Sequence, residues 1–294
     1  MTVTPMRSAT KERMTAGQRM LAVLDVFGPD DLALTLSEIS RRSGLTLSTT
    51  HRLVGELRNW GALDRGLDGR YSIGLRILEL GSLTPRGLRL REVALPYLGD
   101  LQHATNANVH LAVRDGHDVI YVESLHARDC VRVLSRLGGR WPLHATGTGQ
   151  VLLAFASPEF REEVLATKLR RFTPRTITDP DMLRRNLAEV RQTGVAIAEG
   201  QLSPEDAMAV AVPLRGPKDH VVAAIGLTLK IGTVSPRALV PALAATARAI
   251  SRALGAPSAT FPPARTHAGE ADSGNYSASN GHSPRAESHH VRSA

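Results

Sequence analysis

A capped helix that stops at a glycine, with another helix starting about three residues later, constrains this chain more than any other feature. Thr35-Leu36-Ser37-Glu38 puts a threonine three residues ahead of a glutamate, the reciprocal pair that satisfies orphan N–H groups at a helix start. Leu36, Ile39 and Ser40 turn to one side, and Gly44 offers the left-handed residue that ends the helix. The following helix opens with Thr46 or Ser48 as its cap. An earlier helix is read over residues 17–27, where Met20, Leu21, Leu24 and Phe27 recur at helical spacing before Gly28-Pro29. Helix, short glycine-containing turn, helix is the pattern of a helix-turn-helix.

The third helix divides into two faces. Leu47, Thr50, Leu53, Val54 and Leu57 share one side; Ser48, Thr49, His51 and Arg52 share the other, near the N-terminal end. In helix-turn-helix proteins that end enters the major groove. Hydroxyls suit phosphates or base edges, and arginine forks onto guanine or phosphate. Downstream, Ala62-Leu63-Asp64-Arg65 and Arg70-Tyr71-Ser72-Ile73 flank Gly66-Leu67-Asp68-Gly69, a hairpin signal. A hairpin directly after the recognition helix reads as a wing, with Arg65 and Arg70 flanking its turn. The expected DNA contacts are therefore Thr46, Ser48, Thr49, His51, Arg52, Arg65 and Arg70. The competing reading is a structural bundle in which Arg52 is merely solvated. RNA readers present aromatic platforms, whereas aromatics are 4% of this chain and absent from the reading face, which favours duplex DNA.

The chain has 294 residues, enough for two domains. Its net charge is +8, yet residues 1–70 hold ten basic and eight acidic residues, a balance of only +2. Bulk charge therefore does not carry the nucleic-acid argument. No apolar run approaches the roughly 18 residues of a membrane span, and the N-terminus lacks an apolar signal core. The single cysteine, Cys130, excludes an internal disulfide or a cysteine metal cluster and fits a reducing cytoplasm. Composition and pattern divide the chain into a disordered lead (1–14), a winged helix-turn-helix (15–80), a linker helix region (81–106), a second domain (107–255) and a disordered tail (256–294). His289-His290 in that tail is a possible metal pair, but a solvated tail is the expected state.

The second domain mixes strands with helices. Residues 108–113 and 118–122 read as strands around the turn Arg114-Asp115-Gly116-His117; 131–134 and 221–229 read as further strands, and 238–254 as an amphipathic helix ending at Gly255. The expected fold is α+β, with one antiparallel sheet. The loop Leu143-His144-Ala145-Thr146-Gly147-Thr148-Gly149-Gln150 leads into the apolar run 151–155. Open N–H groups at a helix start bind anions, here those of Thr146 and Gly147. Glycine and alanine there equally permit close helix packing.

Several strings together resemble the IclR family of bacterial regulators. They are Leu36-Ser-Glu-Ile-Ser40, Gly44-Leu45, Ser48-Thr-Thr-His-Arg-Leu53, Tyr71-Ser-Ile-Gly74, Pro142-Leu-His-Ala-Thr-Gly147, Val151-Leu-Leu-Ala-Phe155, Gly194-Val-Ala-Ile197, Ala209-Val-Ala-Val-Pro213 and Val222-Ala-Ala-Ile225. The resemblance spans about residues 16–255. It implies a winged helix-turn-helix, a linker helix and a GAF-like effector-binding domain. It also implies operator DNA, a small organic-acid or aromatic effector, and self-assembly into dimers or tetramers. The implied effector-binding residues are His144, Ala145, Thr146, Gly147, Thr148, Ala209, Gly226 and Thr228. Ala198 stands where many relatives carry an acidic residue, and the stretch Pro204-Glu205-Asp206 is one residue longer than usual. The alternative function is a small-molecule-binding protein or enzyme with a structural, non-regulatory winged helix. Yet no G-x-S-x-G, H-E-x-x-H or phosphate-loop string occurs. No catalytic residue, metal or cofactor is therefore expected, and Cys130 is read as a packed thiol.

Overall fold

The computed structural model describes residues 14–128, 130–131, 135–202 and 206–260. The lead up to residue 13, the stretch 203–205 and the tail from 261, with its histidine pair, lie outside the described residues. So do 132–134 of the strand expected at 131–134; Val131 itself is not in a strand.

Three helices build the reading head: α1 (Ala16–Leu24), α2 (Leu36–Ser43) and α3 (Leu47–Trp60). Thr35 and Glu38 form the capping box, and Gly44 ends α2 at φ +69°. A second capping box, Thr15 with Gln18, starts α1. That helix ends at Leu24, three residues short of the sequence reading, because residues 25–27 turn back: the Phe27 N–H donates to the Leu24 carbonyl. Val23, Ile39, Leu53, Val54 and Leu57 meet in the core. Leu21 and Leu47, expected inside, are exposed. Leu47 is the first residue of α3, at the open end of the helix. Strands β1 (Leu63–Arg65) and β2 (Tyr71–Ile73) form the wing in antiparallel register. Leu34 pairs with Tyr71 through two backbone bonds of 2.9 and 2.7 Å, anchoring the wing to the head.

Helix α4 (Leu75–Gly81) buries none of its residues. Helix α5 (Pro85–Thr105) does the opposite. Its residues Leu90, Ala94, Leu98 and Leu101 recur at helical spacing and are buried. The second domain continues with β3 (Asn108–Asp115), β4 (Asp118–Leu125), β5 (Arg140–Pro142), α6 (Gly147–Ala154), α7 (Pro158–Leu165), α8 (Pro180–Thr193), β6 (Ala196–Glu199), β7 (Ala207–Arg215), β8 (Val221–Lys230) and α9 (Pro236–Ala253). The sheet is antiparallel throughout, in the order β5-β4-β3-β8-β7-β6. The first residues of the tail expected to be disordered are ordered instead: Ala256 is buried and Pro257–Thr260 form a 3-10 turn, held by the Ser258 N–H donating to Asp219 at 3.0 Å.

Strand alternation gives the sheet two unlike faces. Val109, Leu111, Met208, Val210, Val212, Leu214, Ile225 and Leu227 point one way and pack with α5 and α9. Burying each such side chain contributes roughly 1.5–3 kcal/mol. On the other face the β7 residues Ala207, Ala209 and Ala211 and the β8 residue Gly226 are small. The helices α6 and α8 cover part of that face, and the small side chains leave space beneath the start of α6.

Candidate functional site: a reading head and an effector pocket

Thr46 is the α3 cap, its hydroxyl accepting from the Thr49 N–H; Thr46 and Thr49 hydroxyls also lie 2.9 Å apart. Ser48, His51 and Arg52 are exposed and Thr49 is half-buried. Arg52 forms an i,i+4 ion pair with Glu56, an exposed pair that a phosphate or base displaces at small cost. The wing arginines turn inward. Arg65 lies over the Tyr71 ring, 5.6 Å from its centroid. Arg70 reaches the Ala33 carbonyl at 3.1 Å and the Glu38 carboxylate at 3.3 Å. Hydrogen bonds from Thr35 are the main cause holding the Glu38 carboxyl below its ordinary range, with Arg70 adding to them. Arg70 thus ties the wing to the start of α2, while fully exposed Leu67 occupies the turn.

In the second domain a partly open cleft lies over the small-residue face. Register brings its floor together: Ala198 pairs with Ala209, Ala209 with Thr228, Ala211 with Gly226, and Gly226 with His110. Ala145, Thr146, Gly147, Thr148, Ala209, Gly226 and Thr228 all line it, as expected. His144 does not. Its ring is buried, with Nε2 2.9 Å from the Arg170 carbonyl. Burial holds that imidazole below its ordinary value, with the carbonyl partly opposing. The sequence reading missed His110, Tyr121, Ser135 and Gln201 in the lining. The signal was present for His110 and Tyr121, polar rings inside otherwise apolar strand runs; Ser135 and Gln201 lie in loops, where period-2 reasoning is silent.

The α6 start shows both roles weighed for its glycines. Thr146 caps the helix by accepting from the Gly149 N–H at 3.0 Å. A Cβ on Gly149 would collide with the Leu143 carbonyl oxygen and lie 2.5 Å from Thr146 Oγ1, so Gly149 serves packing. Gly147 sits on the floor, a Cβ there meeting Ala209 at 3.3 Å. The N–H groups of Gly147 and Thr148 fall in the first turn, where no intrahelical acceptor exists. The first-turn N–H groups without an intrahelical acceptor are thus those of Gly147 and Thr148, one residue later than the Thr146 and Gly147 pair read from the sequence. Thr148 Oγ1 donates to Tyr121 Oη at 3.4 Å, and burial pushes the Tyr121 phenol above its ordinary value. None of the described lining residues is Asp, Glu, Lys or Arg. Cys130 is half-buried, its Sγ donating to the Thr228 carbonyl at 3.4 Å. Among the described residues no group of three or more His, Cys, Asp or Glu is placed to hold a metal, and no helix is long and apolar enough to cross a membrane.

Known proteins share this layout. Residues 18–66 match the IclR helix-turn-helix domain, and residues 84–252 match the bacterial transcriptional regulator IclR C-terminal domain. The HTH-type transcriptional regulator XynR of Escherichia coli strain K12 is 30% identical over 245 residues, 82% of this chain and 97% of that protein. The glycerol operon regulatory protein of Streptomyces coelicolor is 31% identical over 246 residues, covering 81% and 96%. An IclR homolog from Microbacterium hydrocarbonoxydans, crystallised with 4-hydroxybenzoate, is 39% identical with a TM-score of 0.76, covering 81% of this chain and 98% of that one. The Thermotoga maritima IclR structure follows at 28% identity and a TM-score of 0.68, covering 81% and 97%. Both domains, in this order and over this extent, make the chain a member of the IclR family of bacterial transcriptional regulators, with a DNA-binding helix-turn-helix ahead of an effector-binding domain.

Proposed function

We propose that a small aromatic or other organic acid occupies the cleft under the α6 N-terminus and thereby resets the affinity of the winged helix for its operator. The observation that carries this is the cleft itself: an alanine and glycine floor, hydroxyls in the wall, and the first two residues of α6, Gly147 and Thr148, in its lining. A carboxylate against the Gly147 and Thr148 N–H groups gains two charge-assisted hydrogen bonds and the helix dipole. That substitutes for a cationic side chain. The 4-hydroxybenzoate held by the Microbacterium homolog has this chemistry.

The exposed face at the start of α3 is the base-reading surface, with Ser48, His51 and Arg52 outermost and Thr46 and Thr49 shaping the helix end beneath them. Arg65 and Arg70 act first by fixing the wing. One such head spans too few bases for selectivity, so the working form is a two-fold dimer on a pseudo-palindrome. The stripe on α5 is consumed by its own sheet. The surface left for a second copy is the one carrying exposed Leu75, Leu78 and Leu83 around α4.

The test is calorimetry with a panel of small aromatic and aliphatic acids, followed by operator titration with and without the best binder. Coupling of about 1–3 kcal/mol, a 5–150-fold change in operator affinity, is the expected range. Its sign follows whichever state the ligand prefers. Gly147→Glu puts a carboxylate where the ligand's own would sit; this variant should lose the ligand response and keep its basal operator affinity. A binder that leaves operator affinity unchanged overturns the regulatory reading.

A further inference from the structure

The β3–β4 end of the cleft contains polar groups that the carboxylate site does not use. His110 is buried on β3, beside Gly226 of β8. Its Nδ1 lies 3.0 Å from Ser124 Oγ, and Ser135 Oγ lies 3.2 Å from each ring nitrogen. The tautomer follows from counting protons. Ser124 has one hydroxyl proton and donates it to the Ser135 carbonyl at 3.0 Å. Its oxygen must then accept from His110, so the ring proton sits on Nδ1 and Nε2 keeps its lone pair. His126 Nε2 approaches Ser124 Oγ only at 3.5 Å and does not compete for that proton. Burial drives the His110 pKa down to about 3, with His126 adding to the effect. The imidazole is therefore neutral at any pH near 7. What faces the cavity is a fixed acceptor beside a rotatable serine hydroxyl.

We propose that His110 Nε2 and Ser135 Oγ form a second subsite that reads a hydroxyl group on the effector. The ligand O–H donates to Nε2, and its oxygen accepts from the Ser135 hydroxyl. An ether, halogen or bare ring carbon offers no proton, so Ser135 keeps its own contact with Nε2 at 3.2 Å and the ligand gains no hydrogen bond to the ring. Gly147 lies against Ala209 of β7 and Thr148 against Gly226 of β8, so the α6 N–H groups stand laterally one to two strands from His110 on β3, about 5–10 Å. A single benzene ring with a carboxylate and a hydroxyl fills that span. The effector class is thereby narrowed from small acids to hydroxylated ones. This rests on the acid reading above and goes one step beyond it.

The experiment is calorimetry on the full chain with benzoate, 3-hydroxybenzoate, 4-hydroxybenzoate and 4-methoxybenzoate. The unsubstituted protein should prefer one of the hydroxylated acids to benzoate by about ten-fold, as one satisfied buried hydrogen bond implies, and should disfavour the methoxy acid. Ser135→Ala and His110→Phe should each reduce that preference to within about three-fold while benzoate still binds. Ser135→Ala removes one oxygen only, so it keeps the test decisive if His110→Phe disturbs the fold. Equal affinity for benzoate and both hydroxylated acids overturns the subsite and leaves the acid reading standing, as does a preference that survives Ser135→Ala. Failure of all four acids to bind overturns the hydroxyl subsite, and failure of the wider acid panel as well overturns the acid reading.

Discussion

Gly149→Ala separates the packing role of the α6 entry from its ligand-binding role, and the sign of its effect is informative. Gly149 lies in the first turn of α6, where helix propensity alone favours alanine by about 1 kcal/mol. The structure opposes that gain. The new methyl would overlap the Leu143 carbonyl oxygen and stand 2.5 Å from Thr146 Oγ1 and 2.7 Å from Leu143 Cα. The oxygen and Cα belong to backbone at the 3-10 turn Leu143–Ala145, which is buried, so neither swings away as a side chain would. Overpacking of this kind costs about 1–3 kcal/mol. Displacing Thr146 also weakens the α6 cap, at about 1 kcal/mol. The sum is a net loss of about 1–3 kcal/mol after the propensity gain. Urea denaturation followed by circular dichroism measures it directly, as a lower midpoint at unchanged slope. Equal or greater stability than the parent would refute the close approach of α6 to the Leu143 turn. Gly147→Ala is the control, because its Cβ would meet only alanine methyls and a carbonyl at 3.3 Å or more.

Three further outcomes follow from the same structure. Arg52→Ala should weaken specific operator binding by about 1–3 kcal/mol, whereas Arg70→Ala should mainly loosen the wing; gel-shift titrations that rank Arg70 above Arg52 would reverse this assignment. Leu75→Glu with Leu78→Glu should shift the light-scattering mass from a dimer towards the 31.6 kDa chain, and a parent protein that is already monomeric removes the basis for the α4 interface. His110 takes up a proton in the unfolded chain below pH 6.5 but in the folded one only near pH 3. Its contribution is thus complete above 6.5 and falls as pH drops from 6.5 towards 3, by up to about 1.4 kcal/mol per pH unit. The acid limb of a stability–pH profile should flatten in His110→Phe.

Local signals in the sequence determined much of the reading head. The Thr35–Glu38 box, Gly44 and the inward positions Thr50, Leu53, Val54 and Leu57 depend on neighbours within one or two turns, so they were legible without coordinates. The hairpin at Gly66-Leu67-Asp68-Gly69 was legible for the same reason. Most of the pocket loop was also visible, since small residues before an apolar run are a local pattern.

Tertiary structure decided which way ambiguous side chains face. The apolar stripe of α5 is spent on its own sheet, and the leucines of α4 are left outside. Arg70 flanks the wing turn in sequence, yet Glu38, thirty-two residues away, turns it inward. His144 lies in the right loop and points to Arg170 instead of the cavity. His110 and Tyr121 join the pocket only because β3 pairs with both β4 and β8. Sequence specifies caps, turns and periodicity because these arise between near neighbours. Which polar groups share a cavity depends on strand pairing over more than a hundred residues, and no local pattern records that distance.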